Sequence, residues 1–165
     1  MPVICRLLAQ PAPRAVQLPT EPGQLANAVE SAKISTGVYR YWHGIEFLLA
    51  QHQPESFSAR WLELGQPVSP STARVPAARI IAAPDVVRLA GELGQIAPED
   101  LAPHYDAAAL DQAGIYPRKW QEWEETFDPL GQVLEHYTFL QNIAKRCAEA
   151  GDALLLHFVD DGDED

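Results

Sequence analysis

The chain has two cysteines, one methionine and no apolar run long enough to span a membrane, and each scarcity closes a class of function. Cys5 and Cys147 lie at opposite ends and form no CxxC or Cys/His cluster, so neither a zinc site nor a disulfide framework is signalled. A reducing compartment is the simpler expectation. Basic residues are also scarce: 12 Lys and Arg stand against 23 Asp and Glu, for a net charge of −11. Phosphate backbones and anionic membranes are bound by fields of Lys and Arg, and no basic stripe is present, so direct contact with nucleic acid or membrane is not expected. The segment from Met1 to Gln10 lacks the basic start, long apolar stretch and small-residue cleavage site of an export signal, which makes the cytoplasm the expected location. Glycine-rich phosphate loops, a Gly-x-Ser-x-Gly elbow and an HExxH pair are missing as well, so no cofactor and no metal is expected.

What is present is the composition of an ordinary globular protein. Of 165 residues, 47% are apolar and 21% charged, a balance that folds around its own core. Five acids fall in the last six residues, and without them 18 acids face 12 bases, a balance of −6. Residues 1–159 therefore read as one domain, and 160–165 as an acidic, disordered tail.

Val3 to Ala9 is an apolar run suited to a buried strand, and Pro11, Pro13, Pro19 and Pro22 then point to a loop as far as Gly23. A short helix is expected over Gln24 to Lys33. A strongly apolar one follows from Tyr39 to Ala50, where Trp42, Ile45, Leu48 and Leu49 recur at helical spacing. Arg60 to Gly65 and Arg79 to Ala82 are strand candidates. Pro84 and Asp85 open a helix that Gly94 closes, and Asp106 caps another from Ala107 to Ala113. The clearest element carries Val133, Tyr137, Leu140, Ala144 and Cys147 in steps of three and four before Gly151 stops it. Ala153 to Val159 is apolar at successive positions, the mark of an interior strand. The fold class is α+β: a small mixed or antiparallel sheet packed by several helices, with the long helix followed by that strand.

Three segments, in order, resemble the YfbM-like family of bacterial proteins, which has no assigned biochemical activity. They are Tyr41-Trp42-His43-Gly44-Ile45-Glu46-Phe47-Leu48-Leu49, then Tyr105 to Leu110 through Ala113-Gly114-Ile115-Tyr116-Pro117, then Ala150-Gly151-Asp152-Ala153-Leu154-Leu155. With the strand at Val3 and the helix at Pro84, the resemblance covers nearly the whole chain. Glu46 stands where the family often has a second His, and Tyr39 where an Asp is common. The resemblance implies an α+β fold and supplies no reaction.

Two sets of residues carry the chemistry that remains. His43 and Glu46, three apart on a helix, share a face and are able to trade a proton; with His104 and Asp106 they form the candidate set of a small hydrolase-type enzyme. The alternative for each is local: a surface hydrogen bond for the first pair and an N-cap for Asp106. The second set is Tyr116, Trp120 and Trp123, with Phe127, interleaved with Glu122, Glu124 and Glu125. Aromatic anchors rimmed by acids suit a cationic protein segment, whereas the same stripe turned inward is simply core. The leading expectation is a non-catalytic binding domain engaging a protein partner, a basic one. Acidic neutralisers of basic toxins share this charge profile, an analogy from charge alone.

Overall fold

The computed structural model describes residues 2–161. Five strands form one sheet in the order β2-β1-β5-β4-β3, every neighbour antiparallel. They are β1 (Val3–Gln10), β2 (Ser35–Tyr39), β3 (Gln66–Pro67), β4 (Arg79–Ile81) and β5 (Ala153–Asp160). The last strand lies between β1 and β4, so both its edges are paired, and Leu154, Leu155 and Leu156, which alternate between the two faces, are all fully buried. This is the α+β single domain with a closing interior strand that the periodicities predict.

One face of the sheet, carrying Cys5, Leu7, Leu154, Leu156 and Phe158, packs against three helices: α3 (Trp42–His52), α4 (Ala83–Leu93) and α8 (Pro129–Ala150). Ile45 and Leu49, Leu89 and Leu93, and Tyr137, Leu140 and Ala144 are their contributions. The opposite face carries Leu8, Ile80 and Leu155 and is covered by Leu18 of α1 (Arg14–Thr20) and Ala28 of α2 (Leu25–Ser31). Each fully buried Leu or Ile contributes roughly 1.5–3 kcal/mol. Helix α8 has both terminal signals intact: the Asp128 side chain accepts from Gly131 N at 3.0 Å, Pro129 fills the first turn, and Gly151 takes the left-handed conformation (φ 72°) that ends it. Three short helices complete the chain, α5 (Pro98–Leu101), α6 (Ala107–Gln112) and α7 (Trp120–Glu124). Among the described residues no helix is long and apolar enough to cross a membrane.

Four expectations need correction. The proline-rich stretch is not all loop: Pro13 precedes α1, where a missing N–H costs nothing, and Pro19 falls in its last turn. The start of the helix expected from Tyr39 belongs to β2, an edge strand whose pairing partner Cys5 lies far away in sequence. Arg60 to Gly65 is mostly a 3-10 helix, Ser58–Glu63, not a strand. Ser56 Oγ accepts from Ala59 N and the Glu92 carboxylate from Ser58 N, which favours a tight turn over an extended segment. Arg79 then donates to the carbonyls of Glu63, Leu64 and Gly65, occupying groups a strand would use. Finally, the domain runs past Val159: Asp160 pairs with Val3 at the end of β5 and meets Arg74 in an ion pair, and Asp161 N donates to Pro2 O. Residues 162–165 of the expected tail lie outside the described residues.

Candidate functional site

Helix α3 starts at the Val3 end of β1, and a chain of contacts fixes its first turn there. Trp42 Nε1 donates to Val3 O at 2.8 Å, while Val3 N donates to the Tyr116 hydroxyl at 2.6 Å. The Tyr116 ring lies over Trp42 with centroids 5.1 Å apart, and His43 stacks on Trp42 as well, at 5.4 Å. Tyr116 N donates to His43 Nδ1 at 2.9 Å. An Nδ1 that accepts a backbone N–H cannot hold a proton, so the neutral ring carries its hydrogen on Nε2. Burial, and then the nearby Arg118 guanidinium, hold the His43 pKa below the usual histidine value, which reinforces the neutral form. His43 is thus a fixed hydrogen-bond donor.

One turn later, Glu46 faces the same cleft of about 430 Å³. Phe47, Ala50 and Ile115 make its apolar wall, and Arg60 and Glu63 of the 3-10 segment stand at its exposed side. Burial raises the Glu46 pKa to about 7, the Glu63 carboxylate adds to the rise, and the backbone N–H of Leu62 acts the other way. The Oε2 atom is buried and has no hydrogen-bond partner. A carboxyl in this state has one unmet acceptor and a second acid beside it. It gains from any donor or cation that enters.

That strain makes a stability prediction with a defined sign. Because the folded pKa lies above the ordinary 4.5, the fold disfavours ionised Glu46. The penalty is absent well below pH 4.5, grows as pH rises, and is complete above about pH 7. Glu46→Gln is expected to stabilise the protein at pH 8 by on the order of 1–2 kcal/mol, discounted for the partial exposure of the side chain, and to leave stability at pH 4 nearly unchanged. Urea unfolding at the two pH values checks it.

The other candidates separate. His104 is not at this cleft: its Nε2 meets His52 Nδ1 at 3.3 Å near the far end of α3. Asp106 accepts from Ala109 N at 3.2 Å as the N-cap of α6. The four-residue catalytic set is therefore not assembled, although His43 and Glu46 line one cleft. The aromatic anchors face inward: Trp120 is 0% exposed and Trp123 5%, and Tyr116 is held between Trp42 and Val3. Trp120 Nε1 donates to Ile115 O at 3.0 Å, and its ring lies 5.1 Å from that of Trp123. Only Glu122, Glu124 and Glu125 remain on the surface, where Glu124 accepts from the Tyr105 hydroxyl. Cys147 is a packing residue whose thiol is pushed up to about 11 by burial and then by Asp152. Among the described residues no group of three or more His, Cys, Asp or Glu is placed to hold a metal ion. Sequence reasoning missed Arg60, Glu63 and Ile115, whose approach to His43 and Glu46 comes from tertiary packing.

The profile of a domain of unknown function, DUF1877, matches residues 5–157. The chain belongs to the DUF1877 family. The resemblance carried by the Trp42-His43-Gly44-Ile45 helix and the two later segments is borne out by this match and by a solved structure, that of a protein of unknown function, YfbM from Escherichia coli. With that structure the chain shares 11% identity at a TM-score of 0.65, over 94% of this chain and 99% of the other. At that identity the likeness is one of fold. No curated protein matches. In this member of the family Gly44 admits the Trp120 ring against α3, and the His43–Glu46 face of the same helix opens to the cleft.

Proposed function

We propose that the chain is a cytoplasmic, non-catalytic binding domain for a basic protein partner, and that the carboxylates of Glu46 and Glu63 in this cleft receive one cationic side chain. The observation that supports this most directly is the buried, unpartnered Oε2 of Glu46 beside a second carboxylate. A guanidinium or ammonium satisfies the vacant acceptor and removes the repulsion between the two acids. The apolar wall of Phe47, Ala50 and Ile115 suits the methylene stem of Arg or Lys. Arg60 at the rim opposes a second cation, which selects a single basic residue over a run of them. The net charge of −11 draws such a partner in from a distance.

Calorimetric titration with short peptides that differ only in a central Arg, Lys or Glu tests the reading. The Arg peptide is expected to bind, with affinity rising as pH passes upward through about 7, because ionised Glu46 is the receptor. Glu46→Gln is expected to weaken it at least about tenfold. Equal binding of the Arg and Glu peptides, or a Glu46→Gln variant that binds as the parent does, sinks the proposal.

A hydrolase-type reading draws on the same carboxyl, since an acid poised near neutrality suits proton transfer. It requires turnover that is lost in Glu46→Gln and a rate profile that bends near pH 7. A panel of ester, amide and phosphodiester substrates with no turnover dependent on Glu46 removes it.

A further inference from the structure

At the other end of β1 lies a second cavity, of about 400 Å³, where β1 runs out and β5 begins. It is a strand's length from the cleft, since β1 meets Trp42 at Val3 and ends here at Gln10. Ala9, Pro11 and Ile34 form its apolar wall. Its charges come from three separate elements: Arg14 from α1, Lys33 from the turn after α2, and Asp152 from the turn before β5. Ion pairs among the described residues join Arg74 to Asp160 and Arg88 to Glu92, so the two cations and the carboxylate share one cavity without closing on each other.

Opposite charges that line one cavity without pairing, with apolar surface beside them, are complementary to a ligand that carries both charges itself.

We propose that this cavity binds a small zwitterion of the aliphatic amino-acid type, with its carboxylate toward Arg14 and Lys33, its ammonium toward Asp152 and its side chain against Pro11 and Ile34. Arg14 is already oriented, since its Nη1 donates to Gln17 Oε1 at 2.7 Å. The site is independent of the cleft at Glu46 and stands or falls separately.

L-leucine is the probe, titrated by calorimetry at low ionic strength against leucinamide, which lacks the carboxylate, and 4-methylpentanoate, which lacks the amine. Leucine is expected to saturate the site, and each comparator to bind at least about tenfold more weakly. Arg14→Gln and Lys33→Gln are expected to weaken leucine, and Asp152→Asn to weaken leucine while leaving 4-methylpentanoate unaffected. Glu46→Gln is expected to bind leucine as the parent does, which separates this site from the other. Absence of saturable leucine binding, equal affinity for leucine and leucinamide, or full affinity in both Arg14→Gln and Lys33→Gln overturns the proposal. Circular dichroism of each variant confirms that the fold is kept.

Discussion

Trp120→Ala is expected to destabilise the domain by about 3–5 kcal/mol. The indole is 0% exposed and sits among Trp123 and Tyr105, so its removal opens a cavity that the short helix α7 cannot close alone. It also strips the N–H from the carbonyl of Ile115. That carbonyl belongs to the segment whose next residue, Tyr116, fixes His43 through its backbone N–H, so loosening should reach the cleft. Urea unfolding gives the stability loss, and Trp120→Phe, which keeps a ring but no donor, is expected to lose clearly less. A loss under about 1 kcal/mol for the alanine variant would mean that the ring is not core, and would return Trp120 to the surface.

Gly44→Ala is expected to cost about 1–3 kcal/mol, although alanine is the better helix former and the position is the third residue of α3. A Cβ at Gly44 would lie 2.6 Å from Cη2 and 2.9 Å from Cζ2 of Trp120, closer than carbon atoms approach. The clash is with a fully buried ring packed on its other sides, which has nowhere to swing. The two effects are therefore coupled: in a Trp120→Ala background the Gly44→Ala penalty should largely vanish, and a double-mutant cycle measures the difference. Additive losses would show that the two residues do not share this contact.

Legibility from sequence followed the range of the interaction. Helix α8 was readable because its stripe, its Asp128 cap and its Gly151 stop all lie within the helix itself. The interior position of β5 was readable because a strand buried on both faces needs apolar residues at consecutive positions, as at Leu154, Leu155 and Leu156. Strand β2 was not, since Ser35 and Gly37 break up the strand-favouring Thr36, Val38 and Tyr39, and the segment is held by pairing with β1. The same limit applied to the candidate site. His43 and Glu46 share a helix, so their common face follows from spacing, whereas Glu63 reaches them only through a turn stabilised by Ser56 and Glu92. The stripe of Trp120 and Trp123 had a helical period but no directional signal. What decided its direction was Gly44, a residue with no side chain to compete for the space.

The placement of β5 between β1 and β4 has a consequence for assembly on the ribosome. Without Ala153–Asp160, β1 has only β2 to pair with and β4 has only the two-residue β3, so the sheet would be two unconnected fragments. Both fragments leave an edge of unpaired backbone groups that the nascent chain must keep from foreign strands. The two parts of the sheet are joined only when that strand is in place, because it pairs with both β1 and β4.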